Sequence, residues 1–359
     1  MRKAIRLARK GWGRVSPNPM VGALIVKRGQ VVAEGYHRMA GEPHAEAEAL
    51  KKAGAGAKAA TLYVNLEPCV HFGKTPPCVD RIIKAGVRRV VIGMKDPNPL
   101  VSGKGIAKLR KAGIKTEVGL MEEEAGRLNE IFIKYITTGN PFVILKSGMS
   151  LDGKICTESG NSRWITGEKA RRFAHRIRAG VDGIVVGINT VIKDDPELTV
   201  RYGRFYHNPL KIIVDSRCRI PLNSKVFSGD TSGVVIAATH ACRRVEKLRK
   251  TGARVIMVKE NCGRVDIREL LTELGRKNLT SLLIEGGGEI AGSAISAGIV
   301  DKVLFFIAPM IFGGRGALSP VEGKGIKKIC DAATVSRMHV HHIGEDILVE
   351  GYLKSCLPE

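Results

Sequence analysis

The chain has 359 residues, 44% of them hydrophobic, with 58 Lys and Arg against 35 Asp and Glu for a formal net charge of +23. This is the composition of an ordinary globular protein, long enough for two domains rather than one core, and no apolar run approaches the ~20 residues that cross a bilayer. Residues 1–140 hold 25 basic and 12 acidic side chains and the excess continues beyond them, so no basic tail or block marks a specific nucleic-acid partner; phosphorylated metabolites suit such a surface equally well.

The first residues, Met1-Arg2-Lys3-Ala4-Ile5-Arg6, open a predicted helix over 1–11 with no signal-peptide core behind it, and a cytoplasmic location is expected. Strands are predicted over 21–26 and 31–36, joined by a turn at Arg28-Gly29-Gln30. A helix over 44–53 carries Glu46 and Glu48 in its early turns and ends near Gly54. A strand over 61–66 runs straight into Glu67-Pro68-Cys69, and a helix starts at Pro76-Pro77-Cys78 and ends at Ala85-Gly86. A strand over 89–93, a polar loop Asp96-Pro97-Asn98-Pro99, a helix over 105–112 and a further strand follow. A boundary falls near Thr137-Thr138-Gly139-Asn140-Pro141, dividing the chain into domains 1–140 and 141–359. Beyond it come strands over 142–147, 183–187, 210–215, 233–238, 282–284 and 303–307, with a helix over 167–179. Strands alternating with helices predict two α/β layered domains.

His44-Ala45-Glu46, Pro68-Cys69 and Pro77-Cys78 are the residues richest in chemistry. One imidazole and two thiolates suit zinc, and three protein ligands leave the fourth position that a catalytic site keeps for water. Cys78 at a helix start favours the thiolate, and Glu46, two residues after the histidine, is placed to move protons. An isolated His-Ala-Glu is usually a plain helix start, and Cys-x8-Cys is usually two packed thiols. Together, in this order, they match the His-x-Glu and Pro-Cys pattern of zinc deaminases, with the cysteine spacing widened from two residues to eight. His71, between the cysteines, reads as a fourth ligand, a solvated loop residue or, preferably, a substrate contact. The other six cysteines, Cys156, Cys218, Cys242, Cys262, Cys330 and Cys356, are scattered; most are expected to be buried free thiols, and without a secretion signal they suggest no disulfide framework.

Ser16-Pro17-Asn18-Pro19-Met20-Val21-Gly22, Pro43-His44-Ala45-Glu46, Asp96-Pro97-Asn98-Pro99 and the run from Leu66 to Cys78 containing Gly73-Lys74-Thr75-Pro76-Pro77 resemble the bifunctional deaminase/reductase family of bacterial riboflavin biosynthesis. The resemblance implies a cytidine-deaminase-like three-layer α/β/α domain followed by a dihydrofolate-reductase-like α/β domain. It also implies that His44, Cys69 and Cys78 hold one zinc ion and that Glu46 shuttles protons. Asn18, His71 and Lys74 would lie near the pyrimidine and ribose phosphate of a phosphoribosylated pyrimidine substrate.

In the second half, Ile284-Glu285-Gly286-Gly287-Gly288 sets three glycines between a strand and a helix-like run over 291–297. Backbone amides there suit a pyrophosphate, although no Gly-x-Gly-x-x-Gly dinucleotide fingerprint is present. By the same resemblance, NADPH contacts fall on Gly148, Trp164, Thr190, Asp194, Ser216 and a loop of Gly287, Gly288, Glu289, Ile290, Ala291, Gly292 and Ser293. Substrate contacts fall on Ser162, Arg178, Leu198, Arg201 and Glu285, where the two arginines are suited to grip a phosphate. Lys146 and Asp194 are expected nearest the hydride transfer, and Arg217 beside the 2′-phosphate. A homo-oligomer, dimer or tetramer, is expected. Rival readings are a tRNA or nucleoside zinc deaminase with an unrelated appended domain, and a nucleic-acid-binding protein with a structural zinc.

Overall fold

The computed structural model describes residues 1–70, 76–202 and 208–353, and the chain divides into two compact units, Met1–Gly139 and a second beginning at Asn140. The first unit is built from strands β1 (Gly22–Lys27), β2 (Gln30–Tyr36), β3 (Thr61–Leu66), β4 (Arg89–Met94) and β5 (Lys115–Val118). Its helices are α1 (Arg2–Ala8), α2 (Ala45–Ala53), α3 (Cys78–Lys84), α4 (Lys104–Lys111), α5 (Glu122–Leu128) and α6 (Glu130–Thr138). The sheet runs β2-β1-β3-β4-β5, with β1 antiparallel to β2 and β3 and the remaining pairs parallel.

Alternation along the strands explains the layers. Ala23, Ile25, Leu62, Val64, Val90 and Ile92 share one core with Ala49 of α2, Val79 and Ile82 of α3, and Leu109 of α4, while Leu24 and Tyr63 turn the other way to meet Ala4 and Leu7 of α1. Both faces of the sheet are thus covered by helices. Gly35 in β2 permits the close seating of α2, because a Cβ there would stand 2.4 Å from the Ala45 carbonyl oxygen.

The second unit holds β6 (Phe142–Ser150), α7 (Glu168–Arg178), β7 (Gly183–Gly187), α8 (Ile188–Asp194), β8 (Leu210–Val214), β9 (Val234–Ala238), α9 (Arg243–Lys250) and β10 (Arg254–Met257). There follow a short hairpin of β11 (Glu260–Asn261) and β12 (Arg264–Val265), then α10 (Ile267–Arg276), β13 (Ser281–Glu285), α11 (Gly288–Ser296), β14 (Lys302–Ala308), β15 (Ser336–Ile343) and β16 (Asp346–Tyr352). The nine-stranded sheet runs β10-β9-β8-β7-β13-β6-β14-β16-β15. It is parallel from β10 to β14 and closes with the antiparallel β16 and β15. Near-continuous apolar strands such as Leu282, Leu283 and Ile284 are what a sheet buried on both faces requires.

Several expected boundaries shift. The first helix is α-helical only to Ala8 and ends in a 3-10 turn, and β6 runs on to Ser150. The glycine run does not stay a loop: Gly288 already belongs to α11. Of the scattered thiols, Cys156 and Cys218 are buried, whereas Cys242, Cys262 and Cys330 are exposed and Cys356 lies outside the described residues. Among the described residues no helix is long and apolar enough to cross a membrane.

Candidate active sites

The first site forms where β3 ends and α2 and α3 begin. His44 is the N-cap of α2, Cys69 lies three residues beyond β3, and Cys78 opens α3. Their ligand atoms all lie within 4.8 Å of one another, with His44 Nδ1 3.5 Å from Cys69 Sγ and 3.4 Å from Cys78 Sγ. Tetrahedral zinc bonds of ordinary length would set nitrogen and sulfur ~3.6 Å apart, so spacing and donor chemistry fit the ion. Hydrogen bonds from the Cys78 thiol, His44 and the Cys78 amide at 3.4 Å outweigh burial and bring the Cys69 thiol down to about 4. The Cys78 thiol, donating and buried, is driven the opposite way. Glu46 is 4% exposed, and burial followed by the Cys69 charge pushes its carboxyl up to about 7.

Buried polar groups hold this site in place. Glu67 accepts the amides of Gly103 at 2.9 Å, Ile106 at 3.1 Å and Asp96 at 3.2 Å, tying the end of β3 to the 96–103 loop and the start of α4. Asn65 accepts Gly22 N–H at 2.8 Å and donates to the Met20 carbonyl at 2.9 Å, and Asn129 accepts the Met20 amide at 2.8 Å. The turn bearing Asn18 is thereby clamped. Asn18 Nδ2 lies 3.1 Å from Nε2 of the buried His37, whose ring meets that of His44 edge-on at 5.5 Å.

The second unit presents a cavity of about 570 Å³ beyond the C-terminal ends of β7, β8 and β13, lined by Thr190, Asp194, Ser216, Arg217, Gly287 and Glu289 among others. This end of a parallel sheet is where such folds bind ligands, and the volume is typical of a small-molecule site. Lys146 and Glu285 are register partners on β6 and β13. Lys146 Nζ donates to one carboxylate oxygen of Glu285 at 3.0 Å and Arg178 Nε to the other at 2.7 Å. Burial opposes the charge on Glu285, but the two cations outweigh it and hold the carboxyl far below its ordinary value.

Comparison with known proteins agrees with both halves. Residues 1–94 match the family described as the cytidine and deoxycytidylate deaminase zinc-binding region, and residues 141–349 match the RibD C-terminal domain. The riboflavin biosynthesis protein RibD of Aquifex aeolicus is 43% identical over 349 residues, covering 97% of this chain and 96% of that one. The chain belongs to the RibD family. It is a bifunctional deaminase and reductase of riboflavin biosynthesis. RibD of Escherichia coli K12 is 40% identical over 97% of this chain and 96% of its own. The solved RibD of Acinetobacter baumannii superposes with a TM-score of 0.88 at 35% identity, covering 98% and 97% of the two chains. A Thermotoga maritima deaminase/reductase gives 0.86 at 36% identity over the same shares.

Within this RibD fold the expected site residues divide. Ser162, Thr190, Asp194, Ser216, Gly287, Gly288, Glu289, Ile290 and Ser293 line the cavity, as does Arg217. Ala291 and Gly292 do not, because the segment is a helix that shows the cavity one face. Ala291 is packed in the core, and a Cβ on Gly292 would lie 1.7 Å from the Glu322 carbonyl oxygen. Gly148, on β6, faces Thr166, and Trp164 is 63% exposed with the Arg171 guanidinium 4.8 Å from its ring centre. Lys146 joins Arg178 and Glu285 rather than the cavity lining that holds Asp194. Leu198 is buried at φ 53, and Arg201 pairs with Glu197 at 2.9 Å. His71 and Lys74 lie outside the described residues. No local pattern marks His37, Asn129 or His175; Glu67 stands inside the Glu67-Pro68-Cys69 motif with no role assigned from sequence, and Asn65 is a lone amide in an apolar strand.

Proposed function

We propose that this RibD chain first deaminates 2,5-diamino-6-(5-phosphoribosylamino)pyrimidin-4-one in its domain 1–140, then reduces the ribosyl group of the resulting aminouracil to a ribityl chain in its domain 141–359. In the first site His44, Cys69 and Cys78 would hold zinc, which supplies Lewis acidity that lowers the pKa of water toward ~7. Glu46 takes a proton from the attacking water onto a carboxylate oxygen and returns it to the departing nitrogen. Burial raises the Glu46 carboxyl above an ordinary carboxylate, the direction that suits a group which must both take and return a proton. Asn18, His71 and Lys74 would hold the pyrimidine and its ribose phosphate.

In the second site NADPH supplies hydride. Its contacts would be Thr190, Asp194, Ser216 and the cavity-facing residues of 287–293, with Gly148 and Trp164 flanking and Arg217 nearest the 2′-phosphate. Arg178, Arg201, Ser162, Leu198 and Glu285 would orient the phosphoribosyl group, with the reacting carbon between Asp194 on the cavity side and Lys146 on the Glu285 side. The observation that carries this reading is the His44, Cys69 and Cys78 cluster beside buried Glu46. We place the enzyme in the cytoplasm as a homo-oligomer, dimer or tetramer, acting on a small phosphorylated pyrimidine rather than on nucleic acid.

The deciding experiment supplies the phosphoribosylated diaminopyrimidinone with zinc and NADPH, and follows ammonia and NADPH separately. Glu46→Gln is expected to slow ammonia release by roughly 10²–10⁴-fold while keeping zinc content and reduction of the deaminated intermediate. Loss of zinc, or of both activities together, overturns this division of roles.

A further inference from the structure

Helix α7 presents His175 and Arg178, three residues apart and therefore on one face, and both engage the same loop. Arg178 Nη1 donates to the Thr199 carbonyl at 3.0 Å, and the Arg201 amide donates to His175 Nδ1 at 3.1 Å. The two anchors are two residues apart in the loop. Immediately before them stands Leu198, buried and in the left-handed region at φ 53, a conformation that leucine keeps only where its surroundings over-determine it. The anchors supply that constraint.

An acceptor role for Nδ1 requires a neutral ring with its hydrogen on Nε2. The surroundings enforce this state. His175 is buried, and it feels the cations of Arg178 on its own helix, Arg201 on the loop and Lys146 on β6, against the carboxylate of Glu285 on β13. Burial first, then Arg178 and Arg201, bring its pKa down to about 4. The Tyr202 ring closes one side, edge-on at 4.9 Å.

We propose that His175 is a positioning residue of the reductase, a neutral acceptor that seats the 197–201 loop so that Leu198 and Arg201 meet the phosphoribosyl substrate. The proposal rests on the reading that these two residues touch substrate. Its signature is the position of the acceptor atom: asparagine sets its carbonyl oxygen where Nδ1 lies, whereas glutamine reaches toward Nε2.

The test uses the full chain in four forms, wild type, H175N, H175Q and Arg201→Ala, and measures the KM for the aminouracil substrate, the KM for NADPH, and kcat. H175Q is expected to raise the substrate KM roughly tenfold, the loss of one hydrogen bond, with kcat and the NADPH KM within about twofold; H175N is expected to stay near wild type. Asparagine and glutamine are similar in polarity and stability, so the contrast survives where an alanine variant would fail to fold. H175N as impaired as H175Q, or H175Q with unchanged substrate KM, overturns the proposal. Arg201→Ala keeps its backbone amide and so tests the underlying reading by itself. An unchanged KM there removes Arg201 from the substrate while leaving the acceptor contrast to judge His175.

Discussion

The Asn18 amide nitrogen and His37 Nε2 stand 3.1 Å apart, and this contact sets the direction of the Asn18 side chain. His37 Nδ1 lies 3.2 Å from the Pro43 carbonyl, so Nδ1 carries the hydrogen and Nε2 accepts from Asn18. In the proposed substrate site, Asn18 Oδ1 would then be the atom that accepts from a pyrimidine N–H. His37→Phe keeps a ring and removes the acceptor. Its KM for the diaminopyrimidinone should rise about tenfold, the worth of one hydrogen bond, with the reductase unchanged. Ammonia-release kinetics showing wild-type KM would contradict this role.

Glu67 satisfies three backbone amides with one carboxylate. Glutamine offers one oxygen and turns its NH₂ toward an amide donor. Glu67→Gln should cost about 2 kcal/mol and lower ammonia release, because Cys69 follows two residues later, while reduction continues. Urea unfolding of the full chain, followed alongside both activities, checks this.

Glu285 lies between two cations, with its side chain only 10% exposed. Removing its charge leaves Lys146 and Arg178 facing each other without a counter-ion. Glu285→Gln should therefore destabilise the reductase unit by about 3–5 kcal/mol and abolish NADPH oxidation, with deamination retained. Lys146→Met, which leaves the Arg178 contact in place, should cost clearly less. Equal stability of the two variants would refute this account of the cluster.

Acid should weaken the reductase unit in a defined window. The folded protein holds His175 at about 4, whereas an unfolded chain protonates it near ~6.5. As pH falls from about 6.5 to about 4 the unfolded state binds the extra proton, so stability present above the window is lost through it. H175N should flatten that part of the profile. Urea midpoints at pH 7, 5.5 and 4.5 measure the difference.

The candidate metal cluster of His44, Cys69 and Cys78 was legible in the chain because three scarce, chemically distinctive side chains sit at characteristic spacing beside strand and helix ends. Apolar runs likewise revealed the five strands of the first sheet and six of the nine in the second, whereas β10, β15 and β16, with exposed or half-buried residues through much of their length, carried no such run. Helices α5, α6, α8, α9 and α10 were not foreseen: Gly126, a poor helix former, lies inside α5, and Asn129, between α5 and α6, is held by Met20, over a hundred residues away in sequence. The start of α11 was misread for a similar reason. The glycine triplet suits a loop, but Gly288 already belongs to the helix and serves a close approach, since a Cβ there would stand 2.6 Å from the Ser319 carbonyl oxygen, a tertiary demand invisible in the local pattern. His175 acquires its role only when the 197–201 loop folds back onto α7.

The order of the nine-stranded sheet also governs how the chain can be made. Strand β6, ending at Ser150, is hydrogen-bonded on one side to β13 and on the other to β14, which ends at Ala308. A ribosome must therefore synthesise some 150 further residues before that strand can gain both neighbours. Every strand of the deaminase sheet is complete by Val118. Because domains fold as units as they emerge from the ribosome, the deaminase sheet can form early in synthesis, while the apolar start of β6, Phe142 to Leu145, waits longer for both of its neighbours.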